Sequence, residues 1–286
     1  MTRVFIDNDD NCIHLEVAVS LITQYNDLLR IPKRDSDIVY LRTGGDCIKY
    51  VRSAHPDVVI EKPLQYDYRI TVTAYPKDLE KVEDDGVNYY ICHNVFQTPL
   101  KNVIFLTPLG ERSCSLTHLP YRTTKRATDV PIYVIQGNIA SVRRNYDLLL
   151  RILQHDHKYD FRIKVVGRGK LPATFDRYAD KLILRYDLGF ESYHHEFADC
   201  YGILPLISKA SHPHYYTRKL TSSINYGLGY DLQFVIDSDL QEIYNLKNAC
   251  VYAGEDIATA FAQSLYRFYN KPHKLRTSSG RSLCPT

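Results

Sequence analysis

Residues 131–153 run Pro-Ile-Tyr-Val-Ile-Gln-Gly-Asn-Ile-Ala-Ser-Val-Arg-Arg-Asn-Tyr-Asp-Leu-Leu-Leu-Arg-Ile-Leu, and they constrain the fold more than any other stretch. The apolar run at 132–135 reads as a buried strand and Gly137 as the turn that ends it. Arg143 and Arg144 follow, and Leu148, Leu149, Ile152 and Leu153 then fall at a helical spacing. A second strand at 161–166 leads into Gly167-Arg168-Gly169. A strand-turn-helix-strand unit aims backbone N–H groups and cationic side chains at one point above the sheet, and such a point suits a phosphate or diphosphate. The unit begins near the middle of 286 residues, so it is expected to open a second αβ domain.

The flanking sequence keeps the same rhythm. In the N-terminal half, strands are expected at 3–6, 37–41, 58–60, 69–74, 89–92 and 103–106. Leu15, Val19, Ile22 and Leu29 place a helix over 13–29. The unalternating apolar character of 58–60 and 103–106 is that of parallel strands covered on both faces. Residues 77–83 read as a short charged helix or turn. After an aperiodic stretch rich in Thr, Arg and Lys, strands recur at 132–135, 161–166, 182–186, 201–206 and 233–236. An amphipathic helix over 256–269 then places Ile257, Ala260, Phe261, Leu265 and Phe268 on one stripe. The expected division is a domain at 1–120, a linker at 121–130, a domain at 131–270 and a loosely held tail at 271–286.

Composition removes several classes. With 44% apolar and 24% charged residues the chain is globular, and a net charge of +3 from scattered basic residues argues against nucleic acid as a partner. Apolar runs are too short for a membrane span, and Asp7, Asp9 and Asp10 interrupt the early apolar run that a signal peptide would need. Seven widely spaced cysteines offer no zinc or redox spacing, so reduced thiols in a cytoplasmic setting are expected.

Four pieces in order carry a resemblance: Gly137-Asn-Ile-Ala-Ser-Val-Arg-Arg-Asn-Tyr-Asp147, Ile163-Lys-Val-Val-Gly-Arg-Gly169, Ala198-Asp-Cys-Tyr-Gly-Ile-Leu-Pro205 and Lys219-Leu-Thr-Ser-Ser-Ile-Asn-Tyr-Gly227. Over about residues 131–265 the chain resembles the donor-binding half of B-type glycosyltransferases, in particular the retaining group that uses nucleotide-diphosphate sugars. The N-terminal half matches in its strand-helix rhythm alone. The resemblance implies an α/β fold of two facing Rossmann-like domains with a cleft between them.

It also implies site residues. Arg143 and Arg144 fall where the family grips the donor diphosphate; otherwise they are the solvated first turn of a helix. Asn138 stands where the family usually has an arginine, and Arg168 closes the neighbouring strand. Lys219 keeps the family's type beside the donor ribose, while Ser222, with Ser223 next to it, replaces the family's glutamate; these hydroxyls equally read as helix caps. His212 and His214 lie in the loop that meets the transferred sugar, unless that loop is plain surface. Tyr193 is placed to meet the nucleobase, with His194 and His195 read as exposed helix residues.

On the acceptor side, the carboxyl end of the first strand offers Asp9, Asp10 and His14, and inverting members of the fold draw a general base from that region. The alternative there is a solvated turn and cap. His93, with Asn94 beside it, resembles the histidine that retaining members set near the transferred sugar; a lone histidine at a strand end is also often structural. Gly44, Gly45 and Asp46 open a helix where acceptor would enter.

The expected activity is transfer of a sugar from a nucleotide-diphosphate donor to a hydroxyl of a glycan or small molecule. No cofactor and no metal are expected, since Asp237-Ser-Asp239 lies outside the place the family uses for a metal pair. The rival readings are a non-catalytic binding or scaffold protein of the same fold and a nicotinamide-dependent oxidoreductase. The second lacks Gly-X-Gly-X-X-Gly after the first strand.

Overall fold

The structure is a computed structural model of the chain, described for residues 1–8, 14–45, 47–72, 75–109, 125–140 and 143–270. It divides into two compact units. The first carries five parallel strands, β1 (Arg3–Asp7), β2 (Ile38–Arg42), β3 (Tyr68–Thr71), β4 (Asn88–Cys92) and β5 (Val103–Phe105), in the order β2-β1-β3-β4-β5. Alternation along β1 sends Val4 and Ile6 into one core with Leu15, Ala18 and Leu21 of α1 (Leu15–Leu29) and Val51 of α2 (Cys47–Ala54). All six are closed to solvent, each of the larger ones stabilising the unit by about 1.5–3 kcal/mol relative to exposure. The strand expected at 58–60 shrinks to one residue. Val59 donates to Val39 and accepts from Leu41, while Pro56 and Pro63, lacking N–H donors, bracket it.

The second unit carries six parallel strands: β6 (Ile132–Asn138), β7 (Arg162–Arg168), β8 (Leu182–Tyr186), β9 (Gly202–Ile203), β10 (Gln233–Asp237) and β11 (Ala249–Tyr252), in the order β11-β10-β9-β6-β7-β8. Its core joins β6, α3 (Tyr146–Gln154) and α8 (Ile257–Tyr269), with the Phe261 ring 4.5 Å from Tyr133 and 4.9 Å from Phe161. The strand expected at 201–206 is two residues long. There Gly202 passes so close to the Tyr133 ring that an added Cβ would lie 2.6 Å from it. β11 and α7 (Ser238–Tyr244), whose N-cap is Asp237, complete that edge.

The first unit takes Met1–Pro120 together with Gly189–Glu191 and His214–Gly229, which interrupts the contiguous division expected at 131–270. The cause is a pairing between distant parts of the chain. Val95 donates to Arg218 at 2.7 Å and Leu220 to His93 at 3.3 Å, so residues 218–220 run antiparallel to the extension of β4. Leu220 and Phe190 also pack on the first core. Short helices α5 (His214–Thr217) and α6 (Ser222–Gly229) flank this pairing, and α4 (Phe190–His195) begins at Phe190.

No helix of the described residues is long and apolar enough to cross a membrane. Cys92, Cys200 and Cys250 are free and buried. Cys47 is in a disulfide, which corrects the expectation of reduced thiols throughout.

Candidate functional site

The first unit brings together two histidines that are far apart in sequence. His14 stands at the head of α1, where its carbonyl accepts from Val17 and Ala18, and its backbone is left-handed at φ 65°. Such a conformation is uncommon for a residue other than glycine and often marks a functional position. His93 follows β4 directly. Its Nε2 lies 2.9 Å from His14 Nδ1, and the rings meet edge to face at 4.1 Å. Burial, then the adjacent His14 and Lys219, push His93 down to about 3, so it holds the neutral form at ordinary pH. Its other nitrogen, Nδ1, is buried with no hydrogen-bond partner. His14 is the more open of the two, with 26% of its side chain exposed.

Lys219 reaches the same place through its antiparallel pairing with Asn94 and acts electrostatically on His93. Ser222 and Ser223 open α6 three residues on, with Ser223 buried and Ser222 half-buried. Residues expected in donor binding therefore share a unit with the acceptor-side histidines. His214 starts α5 in this unit as well, half-buried, whereas His212 belongs to the other. Gly44 and Gly45 lead into α2, with Gly45 at φ 57°. Asp9, Asp10 and Asp46 lie outside the described residues.

Asp7, the last residue of β1, is closed off from solvent. It is 2% exposed, with Oδ1 accepting from Arg42 Nε at 2.7 Å and Oδ2 from Arg69 Nε at 3.1 Å. The carboxylate thus ties β2 and β3 to the end of β1. The local pattern does not reveal this, because both arginines come from other strands and Arg42 lies just beyond the strand expected at 37–41.

In the second unit the carboxyl ends of β6 and β7 are drawn tightly together. Gly137 has φ 99°, and a Cβ on Gly167 would fall 1.7 Å from the Gly137 carbonyl oxygen. The two glycines are register partners, so a close backbone approach demands glycine there. Asn138 is exposed, and its Oδ1 accepts from the Ala140 amide and shapes the turn. The two arginines part company. Arg144 is 5% exposed and turns inward, donating to the carbonyls of Gln136 and Arg143. Arg143 is exposed beside it, and Arg168 is exposed at the end of β7. Neither arginine lies in the helix: Asn145 is the N-cap of α3, accepting from Asp147 at 3.1 Å.

Side chains around this turn lock it in place. Tyr193 Oη donates to Gln136 Oε1 at 2.8 Å, which sets its ring at the end of β6. Asn145 Nδ2 donates to Ser208 Oγ at 3.0 Å; that hydroxyl bonds to Ser211, and Ser211 to His212 Nδ1 at 2.7 Å. His212 is 3% exposed, so the loop's histidine is part of its internal scaffold. Leu206, just before the loop, is another left-handed non-glycine residue, at φ 52°. His194 is buried with Nδ1 2.6 Å from Tyr230 Oη, which corrects its reading as an exposed helix residue; His195 is exposed. Burial holds His194 down to about 3.

Two α/β units, each built on a parallel sheet, define the fold of B-type glycosyltransferases. The structure is similar to AviGT4, a glycosyltransferase involved in avilamycin A biosynthesis, with a TM-score of 0.57 at 13% identity over 93% of this chain and 88% of that one. It is also similar to a glycosyltransferase from Rickettsia africae ESF-5, with a TM-score of 0.53 at 11% identity over 96% of this chain and 90% of that one. No family model and no curated protein matches the sequence.

Proposed function

We propose that this chain transfers a sugar from a nucleotide-diphosphate donor to a hydroxyl of a glycan or small acceptor. The observation that carries the reading is the His14–His93 pair at the carboxyl end of the first parallel sheet, the place where open αβ sheets hold their ligands. His14, the more open member, is the general base. Its Nε2 takes the acceptor proton as the hydroxyl oxygen forms a bond to the anomeric carbon. The bond from that carbon to the diphosphate breaks, and its electron pair leaves on the phosphate oxygen. A base in this role fits inversion of the anomeric centre, and proton transfer of this kind contributes about 10²–10⁴-fold.

Arg143, in the turn after β6, and Arg168, at the end of β7, are exposed and suit the donor diphosphate by charge. Negative charge grows on the diphosphate as the sugar leaves, so these contacts strengthen towards the transition state. Tyr193 suits stacking with the nucleobase. Ser222 and Ser223 offer hydroxyls, and α6 its first-turn amides, in place of a ribose-binding carboxylate. Gly44 and Gly45 flank the acceptor side. We propose that the transfer needs no metal ion.

A thermal-shift panel of nucleoside diphosphates and their sugars, each with chelator and with manganese, tests the reading. A ligand at 100 times its dissociation constant adds about 2.7 kcal/mol, a shift of several degrees. One diphosphate family responding in chelator, followed by an inverted product anomer in NMR, is the expected result. A flat panel removes the reading, and a response restricted to manganese removes metal independence.

A further inference from the structure

β8 lies at one edge of the six-stranded sheet and pairs with β7 alone. Its register shows which backbone groups face outward. Ile163 donates to the Lys181 carbonyl and Asp187 to that of Gly167, so the ladder groups of residues 181, 183, 185 and 187 turn towards β7. Those of Leu182, Leu184 and Tyr186 point away from the sheet. Among the described residues, the amides of Leu184 and Tyr186 have no hydrogen-bond partner. The side chains add an apolar reason for a neighbour. Leu182, Leu184 and Tyr186 share one face; the outer two pack on the second core, while Leu184 between them is 44% exposed. An open edge of this kind is a template for another strand. One guard stands on it: Arg185 Nη1 donates to the Leu184 carbonyl at 3.0 Å, and its Nε lies 3.4 Å from Glu196. An exposed guanidinium exchanges the first contact readily and keeps the second.

The geometry points to a second copy of this chain as the partner, its β8 running antiparallel to this one with the two Leu184 residues opposite each other at a two-fold axis. Charge selects that register. With Leu184 on the axis, Lys181 of each copy comes beside Asp187 of the other, and Leu182 faces Tyr186. A shift that centres Ile183 sets Lys181 against Arg185, like against like, and one that centres Arg185 leaves Asp187 opposite Ile183. Lys181 already holds Asp160 at 2.7 Å, and its ammonium group has further donors to offer. In the selected register the outward groups of the two Leu184 residues meet as a hydrogen-bonded pair, and each Tyr186 amide meets a Leu182 carbonyl. The strand is thus complementary to itself, as an isologous interface requires. Pairing one short strand buries less than the roughly 1,600 Å² of a standard interface, so the association is weak and depends on concentration.

The test has two arms, neither of which needs transfer activity. Sedimentation equilibrium of the full chain over about a hundredfold range of concentration reads the association, and a monomer–dimer equilibrium is expected. Leu184→Lys, which sets two ammonium groups on the axis, is expected to stay monomeric throughout with an unchanged melting curve, whereas Leu184→Val still dimerises. The second arm reads the register. Under mild oxidation Leu184→Cys is expected to form a disulfide-linked dimer, because residues directly opposite in such a pair stand within disulfide reach, and Ile183→Cys, opposite Arg185, is expected to form none beyond wild type. A wild-type chain that stays monomeric overturns the proposal, as does a dimer that a folded Leu184→Lys leaves intact. Where that variant loses its melting transition the cysteine pair decides: cross-linking in Leu184→Cys no greater than in Ile183→Cys overturns the pairing of β8 with itself.

Discussion

The carbonyl oxygen of Gly137 occupies the space in which a Cβ on Gly167 would stand, 1.7 Å from its ideal position. The neighbour is backbone, held in the β6–β7 ladder, and cannot swing away as a side chain could. Gly167→Ala is therefore expected to destabilise the protein by at least about 3 kcal/mol, the upper part of the usual range for overpacking. Urea unfolding measures this. A midpoint within error of wild type would show that the two strand ends can separate without loss.

Arg143 and Arg144 are adjacent in sequence and opposite in disposition, and their alanine variants should separate accordingly. Arg144→Ala leaves the Gln136 and Arg143 carbonyls without their buried donor, so it lowers stability by about 1–3 kcal/mol. Arg143→Ala keeps the fold and weakens nucleotide-diphosphate binding roughly tenfold or more. Calorimetric titration of both variants, beside their melting curves, checks the split. Equal loss of affinity in two equally stable variants would contradict it.

Asp7 is the buried partner of Arg42 and Arg69. Replacing it with alanine strands two guanidinium groups at the junction of β1, β2 and β3. Because about a third of each arginine side chain is open to solvent, the expected cost is about 2–3 kcal/mol, below that of breaking a fully buried pair. The urea midpoint of Asp7→Ala gives the value, and a loss under about 0.5 kcal/mol would mean that water replaces the carboxylate.

His93 and His194 make stability depend on pH. Each is held near 3 in the folded protein, against about 6.5 when unfolded, chiefly by burial. Between those values the unfolded chain binds more protons than the native one, so stability rises with pH there. The contribution is complete above about 6.5 and is lost progressively as pH falls from 6.5 towards 3. His194→Gln should flatten that slope in a series of urea midpoints taken between pH 4 and 7. An unchanged slope would show that other groups set it.

His14→Ala is expected to reduce the transfer rate by about 10²–10⁴-fold with nucleotide affinity intact. Single-turnover kinetics with saturating donor separates the two effects. A rate within threefold of wild type would move the base elsewhere in the first unit.

The parallel architecture was legible because buried parallel strands leave unbroken apolar runs, as at 132–135 and 103–105, and because α8 carries a complete apolar stripe. β11 was missed: Ala249–Tyr252 is four residues long, and Val251 alone of them is exposed. Arg144 was read as surface because local sequence cannot show a guanidinium folding back on the strand before it. His14 and His93 could each be picked out by their place at a strand end, but not as a pair, since 2.9 Å between them is a product of the whole sheet. The loan of 214–229 to the first unit was equally hidden, because antiparallel pairing between Asn94 and Lys219 has no local pattern.

That loan bears on how the protein can be taken apart. A fragment ending near residue 120 would lack Leu220 from its core and the partner strand for residues 93–95. A fragment beginning near 125 would carry those residues with nothing to pair against, including an apolar leucine and unpaired amides in the open. Neither piece is a self-sufficient domain, and expressing halves of this chain by cutting at the apparent linker would yield aggregation-prone material. Complementation is the better use of that cut: the two pieces, made together, hold between them everything the first sheet needs, and their reassembly would report on the pairing at Asn94 and Lys219 directly.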